Sequence, residues 1–190
     1  MQIALFFGSF NPVHVGHLII AQSILDLAHI QQLWFVVSPQ NPFKQKKSLL
    51  AERQRYNLLQ MAIERNDLLK VTDIEFNLPK PSYTIDTLAY MGEKYPHHQF
   101  HLVMGSDNLT HLHKWKNADI LKANYPIIVY PRPEDPIAEH PGIQLTIVEA
   151  PLLNISSTYI RQRIKAKQNI NFYLPESVAK YVDEMGFYKK

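Results

Sequence analysis

The segment that most restricts the fold of this chain is Gly8-Ser9-Phe10-Asn11-Pro12-Val13-His14-Val15-Gly16-His17. An uninterrupted apolar run, Ile3 to Phe7, precedes it, and apolar residues at Leu18, Ala21, Leu25 and Ala28 follow it three or four apart. The run reads as a buried strand and the spaced residues as one face of a helix. A strand that enters a helix through such a turn is the natural opening of a parallel α/β sheet. In such sheets ligands bind beyond the carboxyl ends of the strands, where a tight turn exposes backbone N–H groups and the next helix presents its positive end. Gly8 lets that backbone approach a phosphate closely, and Asn11-Pro12 sets the turn.

The alternation continues along the chain. Leu33 to Val37, Val71 to Ile74, Phe100 to Met104, Ile127 to Tyr130 and Leu145 to Val148 are short, β-branched or aromatic runs that predict further buried strands. Leu58, Met61 and Ala62 mark a second helical face. Near the end, Ser156 and Ser157 can cap a helix running to about Ala166, and Pro175 with Gly186 bracket another. Strands alternating with helices predict a Rossmann-like, doubly wound parallel sheet with right-handed crossovers and C-terminal helices. A length of 190 residues with 46% hydrophobic content suits one domain spanning 1–190. The stretches Pro39 to Ser48, Asn77 to Ser82 and Pro131 to Gly142 read as loops longer than ordinary connectors, hence as candidates for substrate contact.

Charge and cysteine content narrow the function classes. Twenty Lys plus Arg against 17 Asp plus Glu give a formal charge of +3, too weak a bias for a nucleic-acid footprint but enough for a small phosphorylated ligand. The absence of cysteine removes disulfide frameworks, zinc fingers and thiolate nucleophiles. The start of the chain shows no secretory leader, and no apolar run approaches the roughly 18 to 20 residues of a membrane span, so a cytoplasmic protein without a membrane partner is expected.

His14 and His17, three residues apart at a helix start, can share one face and reach the same phosphate, with Gly16 keeping the approach open. A His-x-x-His pair also suggests a metal site, but no third protein ligand is recognisable, and phosphate contact needs none. A second element, Ile155-Ser156-Ser157-Thr158-Tyr159-Ile160-Arg161, reads as a helix N-terminus whose hydroxyls and N–H groups can hold an anion, with Arg161 one turn on. The two elements together resemble the signature of the nucleotidylyltransferase superfamily, Gly-x-Phe-x-Pro-x-His-x-Gly-His followed by Ile-Ser-Ser-Thr-x-Ile-Arg. That resemblance implies an ATP site formed by Gly8, Ser9, Phe10, Gly16, Ile155, Ser156, Ser157 and Arg161, with His14 and His17 as the catalytic pair.

Across essentially the whole chain the sequence looks closest to the bacterial nicotinate-mononucleotide adenylyltransferases. Pro81-Ser82-Tyr83-Thr84-Ile85-Asp86-Thr87-Leu88 resembles the family's loop and helix start, where the amide of Thr84 would receive the nicotinate carboxylate. Met104-Gly105-Ser106-Asp107, followed by Trp115 and Lys116, resembles its Gly-x-Asp and aromatic elements. By that analogy Gly105 and Asp107 belong to the nucleotide site, with Asp107 accepting from a ribose hydroxyl. Trp115 stacks on the pyridine ring, and the amide of Lys116 completes the carboxylate contact. Lys44 and Arg132 resemble family positions near the mononucleotide phosphate, whereas Lys46 and Lys47 read as solvated charges and Arg55 as a brace for its helix. Many relatives begin Gly-Gly-Thr-Phe-Asp-Pro; here Phe7, Ser9 and Asn11 stand in place of the first Gly, the Thr and the Asp.

The activity implied is transfer of the adenylyl group of ATP to nicotinate mononucleotide, with Mg²⁺ held mainly by phosphates and water. Bound polyphosphate is expected to raise the histidine pKa above its ordinary value near ~6.5. A phosphopantetheine adenylyltransferase would share both ATP elements, but its acceptor carries no aromatic ring for Trp115. A class I aminoacyl-tRNA synthetase fragment would need a tRNA-binding domain that 190 residues leave no room for. A non-catalytic nucleic-acid module built on Lys44, Lys46 and Lys47 would bind in a steeply salt-dependent way, unlike a shaped nucleotide pocket.

Overall fold

The computed structural model describes residues 1–39, 49–132, 135, 137 and 142–189. Six strands are present among them: β1 (Gln2–Gly8), β2 (Gln32–Val37), β3 (Leu69–Thr72), β4 (Gln99–Gly105), β5 (Ile127–Tyr130) and β6 (Leu145–Ile147). They pair in parallel in the order β3-β2-β1-β4-β5-β6. The helices are α1 (Val15–Leu27), α2 (Glu52–Ile63), α3 (Thr84–Lys94), α4 (Ser106–Thr110), α5 (Ala118–Asn124), α6 (Ser157–Lys165) and α7 (Glu176–Glu184).

Because strand side chains alternate faces, the apolar runs are sorted into two cores. Ala4, Phe6, Leu33, Phe35, Val37, Val103 and Ile128 pack with Ala21 and Ile24 of α1, Leu58 and Leu59 of α2, Ile160 of α6 and Val178 of α7. Their sequence neighbours Ile3, Leu5, Trp34, Val36, Leu102 and Val129 point the other way, onto Ile85, Leu88 and Met91 of α3, Leu109 of α4 and Leu121 of α5. The continuous apolar character of the strands is thus the mark of a sheet covered on both faces. No helix of the described residues is long and apolar enough to cross a membrane.

The strand order reverses at β1 and β4, which lie side by side from Gln2 opposite Gln99 to Phe6 opposite Val103. The chain leaves β1 toward one face and β4 toward the other, so a crevice opens beyond Gly8 and Gly105.

Two expected strands move. The segment predicted as Val71 to Ile74 forms a strand at Leu69–Thr72, because Leu69 pairs with Leu33 and is buried, while Ile74–Asn77 winds into a 3-10 turn after Asp73. The final strand ends at Ile147, although buried Val148 still donates its N–H to the carbonyl of Val129 at 2.9 Å. Helix α6 begins as the sequence suggests, with Ser156 as N-cap accepting from the N–H of Tyr159 at 3.1 Å. Pro175 sits at the N-cap of α7 rather than inside its first turn.

Candidate active site at the sheet switch point

The first wall of the crevice is the start of α1. His14 is its N-cap, with extended backbone, and His17 is the third helical residue. Their rings stack at a centroid distance of 3.7 Å and an interplanar angle of 29°. The N–H of His14 donates to Nδ1 of His17 at 3.2 Å, which leaves the proton of the neutral His17 ring on Nε2. His14 is 6% exposed, and its buried Nδ1 makes no hydrogen bond among the described residues. Gly16 makes this packing possible: a Cβ there would stand 3.1 Å from Nδ1 of His14 and would force the ring to move.

Burial, reinforced by the nearby positive charge of Arg132, lowers the pKa of His14 to about 4. The protein alone therefore sets the opposite direction from the rise expected with polyphosphate bound. At neutral pH the His14 ring is uncharged, and any donation to a phosphate starts from the neutral imidazole.

The turn that follows β1 is held from three sides. Arg55 of α2 is fully buried, and its guanidinium donates to the carbonyls of Leu50 at 2.8 Å, Ser9, Ser38 at 3.0 Å and Pro39 at 3.2 Å. Arg161 of α6 donates to the carbonyl of Asn11 at 2.8 Å and to Thr158 Oγ1 at 3.2 Å. Ser157 Oγ donates to the carbonyl of Pro12 at 2.9 Å. Ser156 Oγ thus accepts in capping α6, which leaves its own O–H as a donor, while Ser157 Oγ fastens α6 to the first turn, so the second element is attached to the first. Arg55 likewise braces the turn and not merely its own helix. Phe10, with positive φ of 44°, is 2% exposed and packs edge-on against Phe6, Phe35 and His17, which makes its side chain core.

The opposite wall begins at Gly105, where β4 passes into α4. A Cβ at Gly105 would collide with the carboxylate of Asp107 and crowd Nε of Arg132 at 3.2 Å, so only glycine lets both groups fold over this strand end. Oδ1 of Asp107 is buried without a hydrogen-bond partner among the described residues, and Arg132 Nε lies 3.8 Å from it. Arg132 is fixed by its own N–H donating to Ser106 Oγ at 2.8 Å and by donation to the hydroxyl of Tyr130 at 3.2 Å.

Between these walls lies a cleft of about 430 Å³. Gly8, Ser9, Phe10, His14, Gly16, His17, Asp107, Arg132, Ile155, Ser156, Ser157 and Arg161 all border it. Asp107 is the one carboxylate on its described border, against the guanidiniums of Arg132 and Arg161, a balance suited to a polyanion.

Of the remaining predicted residues, Thr84, Trp115 and Lys116 lie outside that border. Thr84 opens α3; the N–H of Asp86 turns back onto the carbonyl of Tyr83 at 3.0 Å, while those of Thr84 and Ile85 have no intrahelical acceptor. Lys116 bridges to the same turn, with Nζ 2.7 Å from Asp86 Oδ2 and 4.8 Å from the centre of the Tyr83 ring. Trp115 is half-buried against Leu112 and its neighbours on the α3 face of the sheet. Lys44, Lys46 and Lys47 fall outside the described residues.

The turn residue Asn11 has a partner, Tyr188, that the sequence hardly signals. Asn11 is 4% exposed and accepts at Oδ1 from the N–H of Leu50 at 3.1 Å and from the hydroxyl of Tyr188 at 2.9 Å. Tyr188, in a positive-φ conformation beyond α7, reaches the first turn from the far end of the chain. The one available signal was Phe187-Tyr188, an apolar pair placed after the stop at Gly186.

Sequence and structure comparisons agree with this architecture. Residues 5–163 match the cytidylyltransferase-like family model. A relative from Flavobacterium johnsoniae, named a probable nicotinate-nucleotide adenylyltransferase, is 47% identical over 195 aligned positions covering 100% of both chains. One of the same name from Bacteroides thetaiotaomicron is 38% identical, covering 97% of this chain and 92% of its own. Among solved structures, Plasmodium falciparum nicotinic acid mononucleotide adenylyltransferase complexed with NaAD superposes with a TM-score of 0.83 over 98% of this chain and 97% of that one. At 22% identity that likeness is one of fold. With full-length identity of 47% to such relatives, this chain belongs to the nicotinate-nucleotide adenylyltransferases, within the cytidylyltransferase-like family.

Proposed function

We propose that this chain transfers the adenylyl group of ATP to nicotinate mononucleotide, giving nicotinic acid adenine dinucleotide and pyrophosphate in NAD biosynthesis. The observation that carries the reading is the cleft at the β1/β4 switch, where the stacked pair His14 and His17 shares a border with Arg132, Arg161 and Asp107. The family to which the chain belongs carries this activity in its name.

In this mechanism the triphosphate lies along the start of α1, between the two histidines and Arg161. An oxygen of the acceptor phosphate attacks the α-phosphorus in line. The bond from that phosphorus to its bridging oxygen breaks, and the electron pair leaves with pyrophosphate. The acceptor phosphate is already ionised, so no general base is needed, and catalysis rests on positioning and charge stabilisation. His17 donates through Nε2–H as charge builds on the phosphates, and His14 adds a second donor. The unpartnered Oδ1 of Asp107 accepts from a ribose hydroxyl. The turn at Thr84, with the amide of Lys116, receives the nicotinate carboxylate, and Trp115 covers the pyridine ring. The side-chain charge of Lys116 is spent on Asp86, in keeping with a contact made by its amide.

Mg²⁺ completes this reading. Among the described residues no cluster of three or more His, Asp or Glu side chains stands ready to ligate a metal, and Asp107 is the single carboxylate on the described cleft border. Mg²⁺ would be held by the nucleotide's phosphates and water, with Asp107 the one carboxylate of the described border that could face it, and would offset the phosphate charge.

The test is to incubate the purified chain with ATP and Mg²⁺ and to offer nicotinate mononucleotide, nicotinamide mononucleotide or phosphopantetheine in parallel, quantifying pyrophosphate and adenylylated product. Preferential formation of nicotinic acid adenine dinucleotide is expected. Turnover of phosphopantetheine alone would keep the ATP site and overturn the acceptor assignment.

A further inference from the structure

Glu75 is the one buried carboxylate among the described residues, 2% exposed in the 3-10 turn that follows β3. It lies outside the border of the cleft and makes no ion pair among the described residues. Instead it grips the segment that opens α3 at both ends. Its Oε2 accepts from Ser82 Oγ at 2.8 Å, and its Oε1 accepts from Thr87 Oγ1, also at 2.8 Å, with Thr87 itself fully buried. A further hydrogen bond from Ser38 ties the same carboxylate to the residue that follows β2. Between the two anchored positions stand Tyr83, Thr84 and Ile85, the residues whose N–H groups emerge at the start of the helix. From the solvent side Lys116 closes on the same turn through Asp86 and the Tyr83 ring.

A buried carboxylate facing only hydroxyls carries a desolvation penalty that neutral donors do not remove, and burial pushes its pKa upward. An apolar side chain would fill the space at lower cost. What it could not do is accept on two arms at once, joining residue 82 to residue 87 across a turn of backbone. We propose that Glu75 is a positioning residue for acceptor recognition: it locks the Ser82–Thr87 turn so that the N–H groups at the start of α3 meet a carboxylate and reject a carboxamide. This rests on the reading of Thr84 given above.

The discrimination follows from donor and acceptor counting. A carboxylate offers two acceptor oxygens to a fixed pair of N–H donors, whereas a carboxamide presents one oxygen and one NH₂, and the NH₂ faces a donor. A rigid turn cannot rotate away from that clash; a loosened turn can.

The experiment measures KM and kcat for nicotinate and nicotinamide mononucleotides at saturating ATP in wild type, Glu75→Ala, Glu75→Gln and the double variant Ser82→Ala/Thr87→Val. Thermal melts run alongside. Glu75→Ala and the double variant are expected to raise KM for nicotinate mononucleotide about tenfold and to cut the preference for it over the amide by a similar factor. The KM for ATP and kcat should stay within about twofold. Glu75→Gln, which can accept on one arm and donate to a hydroxyl on the other, should recover most of the preference. A Glu75 that merely stabilised the fold would lower the melting temperature and leave the acid-to-amide ratio where it was, and that result in folded variants overturns the proposal. If Glu75→Ala does not fold, Ser82→Ala alone reports the same ratio, and an unchanged ratio there overturns it too. A wild-type enzyme indifferent to acid or amide removes the Thr84 reading and this proposal together, whereas a selective wild type with equally selective variants removes Glu75 alone.

Discussion

The hydroxyl of Tyr188 donates to Oδ1 of Asn11 at 2.9 Å, joining residues 177 positions apart. The same Asn11 oxygen accepts from the N–H of Leu50, and its backbone carbonyl accepts from Arg161. The turn after β1 is therefore assembled from the beginning, middle and end of the chain. A neutral amide oxygen suits this place. It accepts from a buried phenol and an amide without bringing a second negative charge into the cleft proposed above to take polyphosphate.

Tyr188→Phe isolates that contact. The variant removes one buried hydrogen bond while Leu50 continues to satisfy the oxygen, so the expected loss is about 1 kcal/mol in urea unfolding. Because Asn11 shapes the phosphate turn, KM for ATP should rise several-fold with KM for the acceptor unchanged. A rise confined to the acceptor would place Tyr188 on the wrong subsite.

Arg55 presents a larger effect. Its guanidinium serves four carbonyls in a fully buried position, and burial pulls its pKa down from a value so high that it stays charged. Arg55→Lys keeps the charge but offers a single point of donation, leaving buried carbonyls without partners. Each such group costs roughly 1 to 3 kcal/mol, so a loss of at least 3 kcal/mol is expected. Equilibrium denaturation measures it directly; a loss below 1 kcal/mol would mean that water or the ammonium satisfies the turn.

These contacts also mark where the sequence stops being readable. Strands β1, β2, β4 and β5 announce themselves because a two-faced sheet needs unbroken apolar runs, and both phosphate elements are recognisable because their residues are contiguous. Arg55 leaves a trace in the sequence. It falls on the buried face of α2 with Leu58, Leu59 and Ile63, at the spacing of core positions, and a cation there must have backbone acceptors. The bond from Ser157 to the carbonyl of Pro12 left no trace at all, since a contact across 145 residues has no periodicity to reveal it. Helices α4 and α5 are too short for a face to repeat. The downward pull that the protein alone exerts on His14 is equally invisible in the sequence, because its burial and the approach of Arg132 are tertiary facts.

That depressed pKa has a measurable consequence. As pH falls through 6.5 the His14 of the unfolded chain takes up a proton, while the folded ring stays neutral down to about 4. The unfolded state then binds more protons, so stability is lost as pH drops through that window; above 6.5 both states are neutral and the residue contributes nothing. The full span corresponds to about 3.4 kcal/mol, of which about 2.5 kcal/mol should be lost by pH 4.5. Urea unfolding at pH 7.5 and 4.5 should show wild type losing that much more than His14→Gln. Equal losses would show that Arg132 and burial do not hold the ring neutral. Proton NMR of His14 should also find its pKa raised when ATP is added, since polyphosphate opposes both causes of the depression.

His17 is the ring on which turnover should depend most. Its Nδ1 is occupied by the N–H of His14, so its donor is fixed on Nε2 and its orientation is set before any phosphate arrives. The stacked His14 at 3.7 Å and the edge of Phe10 at 5.1 Å limit its movement. A donor prepared in this way contributes chiefly where charge accumulates in the transition state, and losing one commonly costs on the order of 3 kcal/mol of that stabilisation. His17→Ala should therefore lower kcat about a hundredfold while the Kd for ATP, measured by calorimetry, changes less than about threefold. A matched loss in both would make His17 a binding residue only, and an unchanged kcat would remove it from the chemistry. His17→Gln tests the geometry further, because its amide can donate from nearly the same place as Nε2. Recovery of part of the lost rate by Gln, with no recovery by Ala, would show that a directed neutral hydrogen bond, and not a positive charge, carries the effect.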